Sequence, residues 1–289
     1  AFVHRFPVAI FISLTLLSQF AVVLSTWWLI PDGQEMHSDS PGARMAHMVF
    51  RLRVFFPLGL AIVMTVYLDG WRGLNKLFGS FFHWRLPVKW YALAVVWKFI
   101  LGYIGVLCVV GLALDEWPGF VNDGWFTGLR HTFFFLIGIA LVEETSWIRF
   151  SVTRLQERRS ALFSSCVVGL AWGAWSLMMM LIGEGVPDGI PWYAFVISML
   201  SMCVFFTWTY NTTRSGAVLL VMQFFSNSAF LIAPMLPVAG KPPFFMIGFV
   251  LCFLVLAIVV TLQGGATHLT RHGVRAKWND HADPGASDQ

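Results

Sequence analysis

The stretch PFFMIGFVLCFLVLAIVVTLQ at residues 243–263 decides the fold class, because it runs for 21 residues without a charged side chain. A helix needs about 20 apolar residues to cross a bilayer. Similar continuous runs recur along the chain, so its 289 residues are 57% hydrophobic and only 12% charged. A soluble domain carries about 25% charged residues. The composition therefore argues against soluble enzymes, disordered proteins and nucleic-acid binders, and it predicts an all-α, polytopic membrane helix bundle.

About eight apolar runs are long enough to be transmembrane helices. They lie at 7–30, 50–68, 91–114, 131–150, 161–183, 192–211, 216–236 and 243–263. The segment 70–90 mixes Trp and Phe with Arg and Lys, which is typical of an amphipathic segment lying in the membrane interface. We expect a single membrane domain over residues 1–263 and a polar cytoplasmic tail over 264–289.

The distribution of Lys and Arg predicts the orientation, because these residues concentrate in cytoplasmic loops. With eight spans and an internal N-terminus, 12 basic residues fall inside and 5 fall outside. The inner ones are Arg5, Arg72, Lys76, Arg85, Lys89, Arg154, Arg158, Arg159, Arg214, Arg271, Arg275 and Lys277, and the outer ones are Arg44, Arg51, Arg53, Arg130 and Lys241. We therefore expect both termini in the cytoplasm. The expected location is the inner or plasma membrane of a bacterium, with several membrane passes.

Two adjacent acids, Glu143 and Glu144, follow 12 residues without a charge. An acid at the centre of a membrane helix costs about 2.5–3.5 kcal/mol even on mild insertion scales, and such residues often mark functional sites. We expect both to be held by polar partners inside the bundle rather than exposed to lipid. The candidate partners are Lys98, Arg149, Arg154, Gln223 and Asn227. The alternative is a purely structural pair, neutralised by one of those three cations.

The stretch EETSWIRFSVTRLQ at residues 143–156 and two later helices resemble the CAAX-protease and bacteriocin-processing family, also called the Abi or CPBP intramembrane proteases. Its members read like E-E-x-G-W-R-G-F-L-L-P-R-L-Q, then W-x-x-W-H, then H-x-x-x-N. The matching residues are Glu143, Glu144, Trp147, Phe150, Arg154, Leu155, Gln156, Gly173, Ala174, Trp175 and the run from Phe224 to Asn227. The resemblance covers a core of about 70–235 and implies a bundle of eight membrane helices.

The chain departs from the family pattern at positions to which the resemblance assigns chemistry. In such proteases a Glu and a His are thought to activate water, and a second His and an Asn to stabilise the oxyanion. The candidate catalytic positions kept here are Glu143, Glu144 and Asn227, whereas Ile148 stands at the Arg position and Ser176 and Gln223 at the two His positions. A frame shifted by one residue would supply the Arg, but it breaks the downstream match and turns a helical side chain by about 100°.

The substituted positions leave an incomplete catalytic set. Gln223 can still donate a hydrogen bond to an oxyanion, and Asn227 lies one turn later on the same helix face. Neither Gln223 nor Ser176 can exchange a proton near neutral pH as a histidine does. Loss of one general acid–base group typically costs about 10²–10⁴-fold in rate.

We therefore expect a catalytically inactive pseudoprotease that serves as a binding or scaffold subunit of a membrane complex. One alternative is a divergent, active, glutamate-dependent intramembrane peptidase of the CAAX type, and another is a pigment- or lipid-associated accessory subunit. The expected partners are another integral membrane protein and lipids, and no nucleic acid, because the basic residues form no single patch. No cofactor or metal is expected, because the cysteines lie singly in apolar runs and no histidines have metal-binding spacing.

Overall fold

The computed structural model describes residues 2–30, 40–183, 189–237, 240–271 and 273–280, and none of these is in a β-strand. The helices are α1 (Phe2–Arg5), α2 (Pro7–Leu29), α3 (Pro41–Leu52), α4 (Phe56–Asp69), α5 (Gly73–Phe78), α6 (Val88–Gly111), α7 (Trp125–Glu143), α8 (Thr153–Leu155), α9 (Ala161–Leu177), α10 (Trp192–Thr213), α11 (Gly216–Ile232) and α12 (Phe244–Gly264). Short 3₁₀ helices lie at Arg53–Phe55, Gly79–Phe82 and Met178–Ile182, and a π-helix lies at Glu144–Val152. The all-α prediction is confirmed.

Within the described ranges, seven helical stretches are long and apolar enough to cross a membrane. They are Pro7–Leu29, Pro41–Asp69, Val88–Gly111, Trp125–Leu155, Ala161–Ile182, Trp192–Thr213 and Phe244–Gly264. The eighth predicted span corresponds to α11, an apolar helix of 17 residues. That length is at the lower end of the ~17–25 residues of transmembrane helices. Every predicted span coincides with a helix, so a multi-pass membrane bundle is confirmed.

The second span begins nine residues earlier than the sequence predicts, at Pro41 instead of residue 50. Ser40 caps this end, because its side chain accepts a hydrogen bond from the backbone N–H of Ala43 at 3.1 Å. Proline in the first turn also favours a helix start. Hydropathy misses this first part of the helix because Arg44 and Arg51 make it amphipathic, with only one face directed into the bundle.

The predicted interfacial segment is a compact connector outside the spans. It contains α5 and the 3₁₀ helix Gly79–Phe82, and its last three residues, 88–90, already belong to α6. Trp71 and Phe82 are 77% and 80% exposed, so large aromatic side chains project outward on both sides of the short helices. Exposed Trp next to charged residues is typical of the membrane–water interface.

Helix α10 is the centre of the bundle. It packs against α9, α11 and α12, and α6 packs against α11 and α12. The crossing of α6 and α12 requires glycine, because a Cβ on Gly105 would lie 2.6 Å from the backbone nitrogen of Phe249. Gly248 lies at the same crossing, and a Cβ added to it would lie 2.8 Å from the carbonyl oxygen of Gly105. Small residues at close crossings are typical of helix packing in membranes.

The segments that the charge rule assigns to one side of the membrane lie together at one end of the bundle, which we call the basic end. Arg154 forms an ion pair with Asp69 there. Lys76 Nζ lies 2.9 Å from Oδ1 of Asn279, which joins the interfacial segment to the chain beyond α12. This grouping requires an even number of crossings between α1 and residue 280, as eight spans provide.

The opposite end is closed by contacts between the remaining connections. Lys241 Nζ lies 3.0 Å from Oδ1 of Asp115, and this hydrogen bond lowers the pKa of Asp115 below its usual value. The side-chain amide of Asn122 donates to the carbonyl of Leu231 at 3.1 Å. Connections predicted to share the outer side therefore also share an end.

The polar segment after α12 packs against the basic end as far as residue 280. Trp278 is 1% exposed, and the guanidinium of Arg154 lies 3.8 Å from its ring centroid. Arg214 pairs with Asp280 at 2.7 Å. Composition predicts only a polar tail, whereas these contacts make its first part an element of the bundle; residues 281–289 lie outside the described residues.

Candidate functional site

The two predicted acids lie where a long helix changes its winding. Helix α7 ends at Glu143, and Glu144–Val152 continues it as a π-helix, in which hydrogen bonds join residues five apart instead of four. Ser151 reinforces the wider turn, because its hydroxyl donates to the carbonyl of Ser146 at 2.8 Å. All nine residues of this π-helix are buried. Such π-turns inside α-helices occur frequently at functional sites.

Glu143 is the centre of a polar cluster that we call the Glu143 cluster. Nε2 of Gln223 donates to its Oε2 at 2.5 Å, and Trp172 is a second hydrogen-bond partner. Two cations, Arg53 and Lys98, interact with it electrostatically. Glu143 is only half-buried, so part of its surface stays accessible beside these contacts. Polar partners therefore hold this acid, as expected, and two of the predicted candidates, Gln223 and Lys98, are among them.

Arg53 belongs to this cluster, although the charge rule places it outside the membrane together with Arg51. It is 6% exposed, and its guanidinium lies 4.5 Å from the ring centroid of Phe50 and 4.7 Å from that of Trp175. Its Nη1 lies 3.5 Å from Oε1 of Gln19. Residues two apart on a helix project about 200° apart. Arg51 is accordingly exposed while Arg53 enters the bundle, so the i, i+2 spacing is the signal that could have found it.

Lys98 supplies the second cation from the middle of α6, where it is 4% exposed. Its Nζ lies 3.1 Å from the hydroxyl of Ser226 and 3.3 Å from the ring centroid of Phe230. A cation over an aromatic face recovers part of the attraction that it loses on leaving water. A hydroxyl and a ring carry no net charge, so Glu143 provides the negative charge that Lys98 needs inside the bundle.

Glu144 has a different environment, although it is adjacent in sequence. It is completely buried, and neither of its carboxylate oxygens has a hydrogen-bond partner within the described residues. It interacts electrostatically with Glu143 and with Cys203 of α10. The expectation of polar partners is therefore wrong for Glu144. Adjacent residues of a helix project about 100° apart, so Glu144 is turned toward the apolar packing with α10 while Glu143 meets α11.

The two arginines that follow the acids are not their partners. Arg149 Nε donates to the carbonyl of Lys76 at 2.7 Å, and Arg154 pairs with Asp69. The π-helix and α8 carry these guanidinium groups toward the basic end, where Arg149 binds the interfacial segment and Arg154 binds the end of α4. The proposed neutralisation of Glu143 and Glu144 by Arg149 or Arg154 is therefore wrong, and of the three candidate cations only Lys98 interacts with Glu143.

The structure brings some of the remaining candidate positions near the acids and separates others. Ile148 is fully buried in the hydrophobic core. Ser176 is half-buried on α9, one turn after Trp172, and Asn227 is half-buried on α11, one turn after Gln223. Neither makes a hydrogen bond to Glu143 in the described part of the chain, where its hydrogen-bond partners are Gln223 and Trp172. Their place in any chemistry stays a prediction.

Two further residues of the first motif, Arg154 and Gln156, stabilise the basic end and take no part in the site. Gln156 and Asn211 exchange two side-chain hydrogen bonds, of 2.9 Å and 3.2 Å. The side-chain Oδ1 of Asn211 also accepts a hydrogen bond from the backbone N–H of Ala276 at 3.0 Å. The match through Arg154 and Gln156 is therefore explained by packing between helices and the chain beyond α12.

The site does not have the composition of a metal centre. Among the described residues, no group of three or more His, Cys, Asp or Glu side chains is arranged to hold a metal ion. No described histidine is a hydrogen-bond partner or a charged neighbour of Glu143. The arrangement provides a carboxylate, amide and indole donors and two cations, which can bind or polarise a polar group inside a membrane.

Comparison with known proteins gives one family match, over residues 125–229, to the family described as type II CAAX prenyl endopeptidase Rce1-like. No curated protein shows a significant similarity to the chain. The matched segment extends from α7 to α11 and contains both acids, Ser176, Gln223 and Asn227. Through this segment the chain is similar to the Rce1-like, CAAX-type membrane endopeptidases, which confirms the resemblance that its motifs predict.

Proposed function

We propose that this protein is a catalytically inactive relative of the CAAX-type endopeptidases and acts as a binding or scaffold subunit of a membrane complex. The observation that carries the proposal is the 2.5 Å hydrogen bond from Gln223 to Glu143. It occupies the place where the resemblance implies a histidine. An amide nitrogen donates a hydrogen bond, but it cannot accept and return a proton as an imidazole does.

The charges around Glu143 support the same conclusion. A carboxylate that acts as a general base takes a proton from water and loses its negative charge during the reaction. Here Arg53 and Lys98 are buried beside Glu143 and interact with that charge. Removing an anion from beside buried cations is costly, so the cluster is better suited to hold the span Pro41–Asp69 and helices α6, α7 and α11 together than to transfer protons.

The proposal needs a surface for the partner, and α7 offers one. In the span that contains α7, only 17% of the most apolar stretch is buried inside the bundle, against 33–61% in the other six spans. Its outer face carries Phe126, Phe133, Phe134 and Phe135, all exposed. Aromatic side chains are enriched at the centres of protein interfaces, and we place the contact with another integral membrane protein on this face.

Photocrosslinking in native membranes tests the partner. A photoreactive amino acid replaces Phe134 of α7, which is 84% exposed, and in a matched control it replaces Leu262 of α12, which is 79% exposed. We expect one discrete crosslinked product in stoichiometric yield from position 134 and none from position 262. Equal products from both positions, or none from either, would reject α7 as the binding face.

A second candidate function, a divergent glutamate-dependent peptidase, is favoured by the incomplete hydrogen bonding of the acids. Glu143 keeps part of its surface accessible, and Glu144 has two oxygens without a partner among the described residues. A carboxyl group in this state can act as an acid or a base if water reaches it. This candidate predicts slow hydrolysis of a membrane peptide that depends on one of the two acids.

The location belongs to the proposal as well. We place the basic end, and with it both termini, on the cytoplasmic side of a bacterial inner or plasma membrane. The excess of Lys and Arg at that end supports this orientation.

A further inference from the structure

A groove lies at the basic end, where α2 and α9 begin. Its volume is about 600 Å³, within the range of ~300–1,000 Å³ that is usual for small-ligand sites. Its lining includes Arg5, Arg158 and Arg159, and also apolar residues such as Pro7 and Phe163, which we call its apolar wall. Because α2 and α9 are membrane spans, the groove passes from the aqueous side into the level of the bilayer interface.

The carboxylates in the groove are already engaged. Asp69 forms an ion pair with Arg154. Oε1 of Glu157 accepts the backbone N–H of Asn279 at 2.9 Å. Glu157 also interacts electrostatically with Arg154. The lining holds four arginines and only these two acids, so it keeps an excess of positive charge.

The three remaining arginines have no carboxylate partner in the described part of the chain. Arg158 and Arg159 lie on one tight turn, because both backbone N–H groups donate to the carbonyl of Leu155 at 3.1 Å and 2.9 Å. Nη1 of Arg158 lies 3.4 Å from the carbonyl of Arg5, and the guanidinium of Arg159 lies 5.5 Å from the ring centroid of Phe163. The three guanidinium groups therefore border the same groove with unused donors.

We propose that this groove binds one anionic phospholipid, with its phosphate between Arg5, Arg158 and Arg159 and an acyl chain along Phe163. Guanidinium groups bind phosphate oxygens through paired, charge-assisted hydrogen bonds. Basic pockets between membrane helices at the interface are suited to lipid headgroups. A free phosphate would satisfy the arginines but would leave the apolar wall unused. The inference does not depend on the proposed function of the Glu143 cluster.

Native mass spectrometry of the full-length, detergent-solubilised protein tests the proposal. The probes are dioleoyl phosphatidylglycerol, dioleoyl phosphatidylcholine and inorganic phosphate. We expect one equivalent of phosphatidylglycerol to bind in preference to phosphatidylcholine. The double variant Arg158→Gln/Arg159→Gln should weaken that binding about tenfold or more, because it removes two phosphate donors. Phe163→Ser should also weaken lipid binding, because it removes part of the apolar wall.

The matched control is Arg72→Gln/Arg85→Gln, which removes the same charge from exposed positions outside the groove lining. We expect it to leave phosphatidylglycerol binding unchanged, and thermal unfolding confirms that all variants are folded. An equal loss in both double variants would show non-specific attraction and overturn the proposal. So would binding of phosphatidylcholine as tight as that of phosphatidylglycerol. Phosphate binding that matches the lipid and is insensitive to Phe163→Ser would assign the groove to a free anion instead.

Discussion

Gln223 contacts Glu143 at the position where a protease of the similar family would use a histidine. Two motifs that are 80 residues apart in the chain meet in this contact at 2.5 Å. The family resemblance predicts that these positions lie close together, because both motifs contribute residues to one site in that family. Compared with a histidine, the amide of Gln223 keeps a hydrogen-bond donor but lacks a nitrogen that can accept a proton.

Substitution Glu143→Gln tests the role of this acid as the anion of its cluster. The variant keeps the size and the hydrogen-bonding capacity of the side chain but removes the negative charge with which Arg53 and Lys98 interact. We expect the free energy of unfolding to fall by about 1–3 kcal/mol, measured by SDS titration in mixed micelles. The control Glu116→Gln, at an exposed position, should change it by less than about 0.5 kcal/mol. Equal stabilities of the two variants would contradict a structural charge at position 143.

Other residues of the site follow from packing that the sequence does not reveal. Hydropathy assigns Arg53 to the start of a span, and only its position on the helix circumference turns it inward. Glu144 shares the motif with Glu143, but its neighbours are set by the winding of the helix and the packing with α10. Sequence thus identifies both acids and does not predict their different environments.

The π-helix Glu144–Val152 is the element that sets this difference. A motif matched letter by letter to an α-helix assumes about 100° between successive side chains. The wider π-turn changes that angle for nine residues, and no periodicity of apolar residues indicates it, because all nine are buried. The start of the second span at Pro41 is hidden for a related reason, since its first turns are amphipathic.

The hydroxyls of the π-helix allow a matched pair of substitutions. Ser151 donates to the carbonyl of Ser146, whereas the hydroxyl of Ser146 has no partner within the described residues. We expect Ser151→Ala to lower the free energy of unfolding by about 0.5–1.5 kcal/mol. Ser146→Ala should be neutral or slightly stabilising, because it removes a buried, unsatisfied polar group. Identical effects would show that the Ser151 hydrogen bond does not support the wider turn.

At the scale of the whole molecule, the continuous apolar runs suffice to predict the long apolar helices and their order, but not the short helices between them. They do not predict that the chain after α12 packs back with Trp278 buried, because its composition is polar. The two ends of the bundle each collect the connections that the charge rule groups together. The arrangement therefore fixes which loops share a side but not which side is cytoplasmic.

Reporter fusions at residues 120 and 280 test the orientation. Residue 120 lies in the connection between α6 and α7, and residue 280 lies at the basic end. We expect a reporter that is active outside the membrane to function at 120 and one that is active in the cytoplasm to function at 280. A cytoplasmic signal at 120, or an external one at 280, would be incompatible with eight spans and internal termini.

Introducing the residues that the family motif has at the substituted positions tests whether the fold can still support hydrolysis. The variant carries Ser176→His and Gln223→His, and a second version adds Ile148→Arg. The two versions are needed because Ile148 is fully buried and an arginine there strains the core. Residues that act as a unit usually have to be replaced as a unit. We expect hydrolysis of a prenylated peptide to appear in at least one folded version, because both acids and Asn227 are still present.

The central claim is that the chain itself lacks peptidase activity, and hydrolysis of a prenylated C-terminal peptide by the purified protein measures this most directly. The assay compares the unmodified chain with Glu143→Ala and Glu144→Ala. Our account predicts no turnover above the uncatalysed background in any of the three. Turnover by the unmodified chain that disappears in either variant would contradict it and would assign the protein to the active glutamate-dependent peptidases.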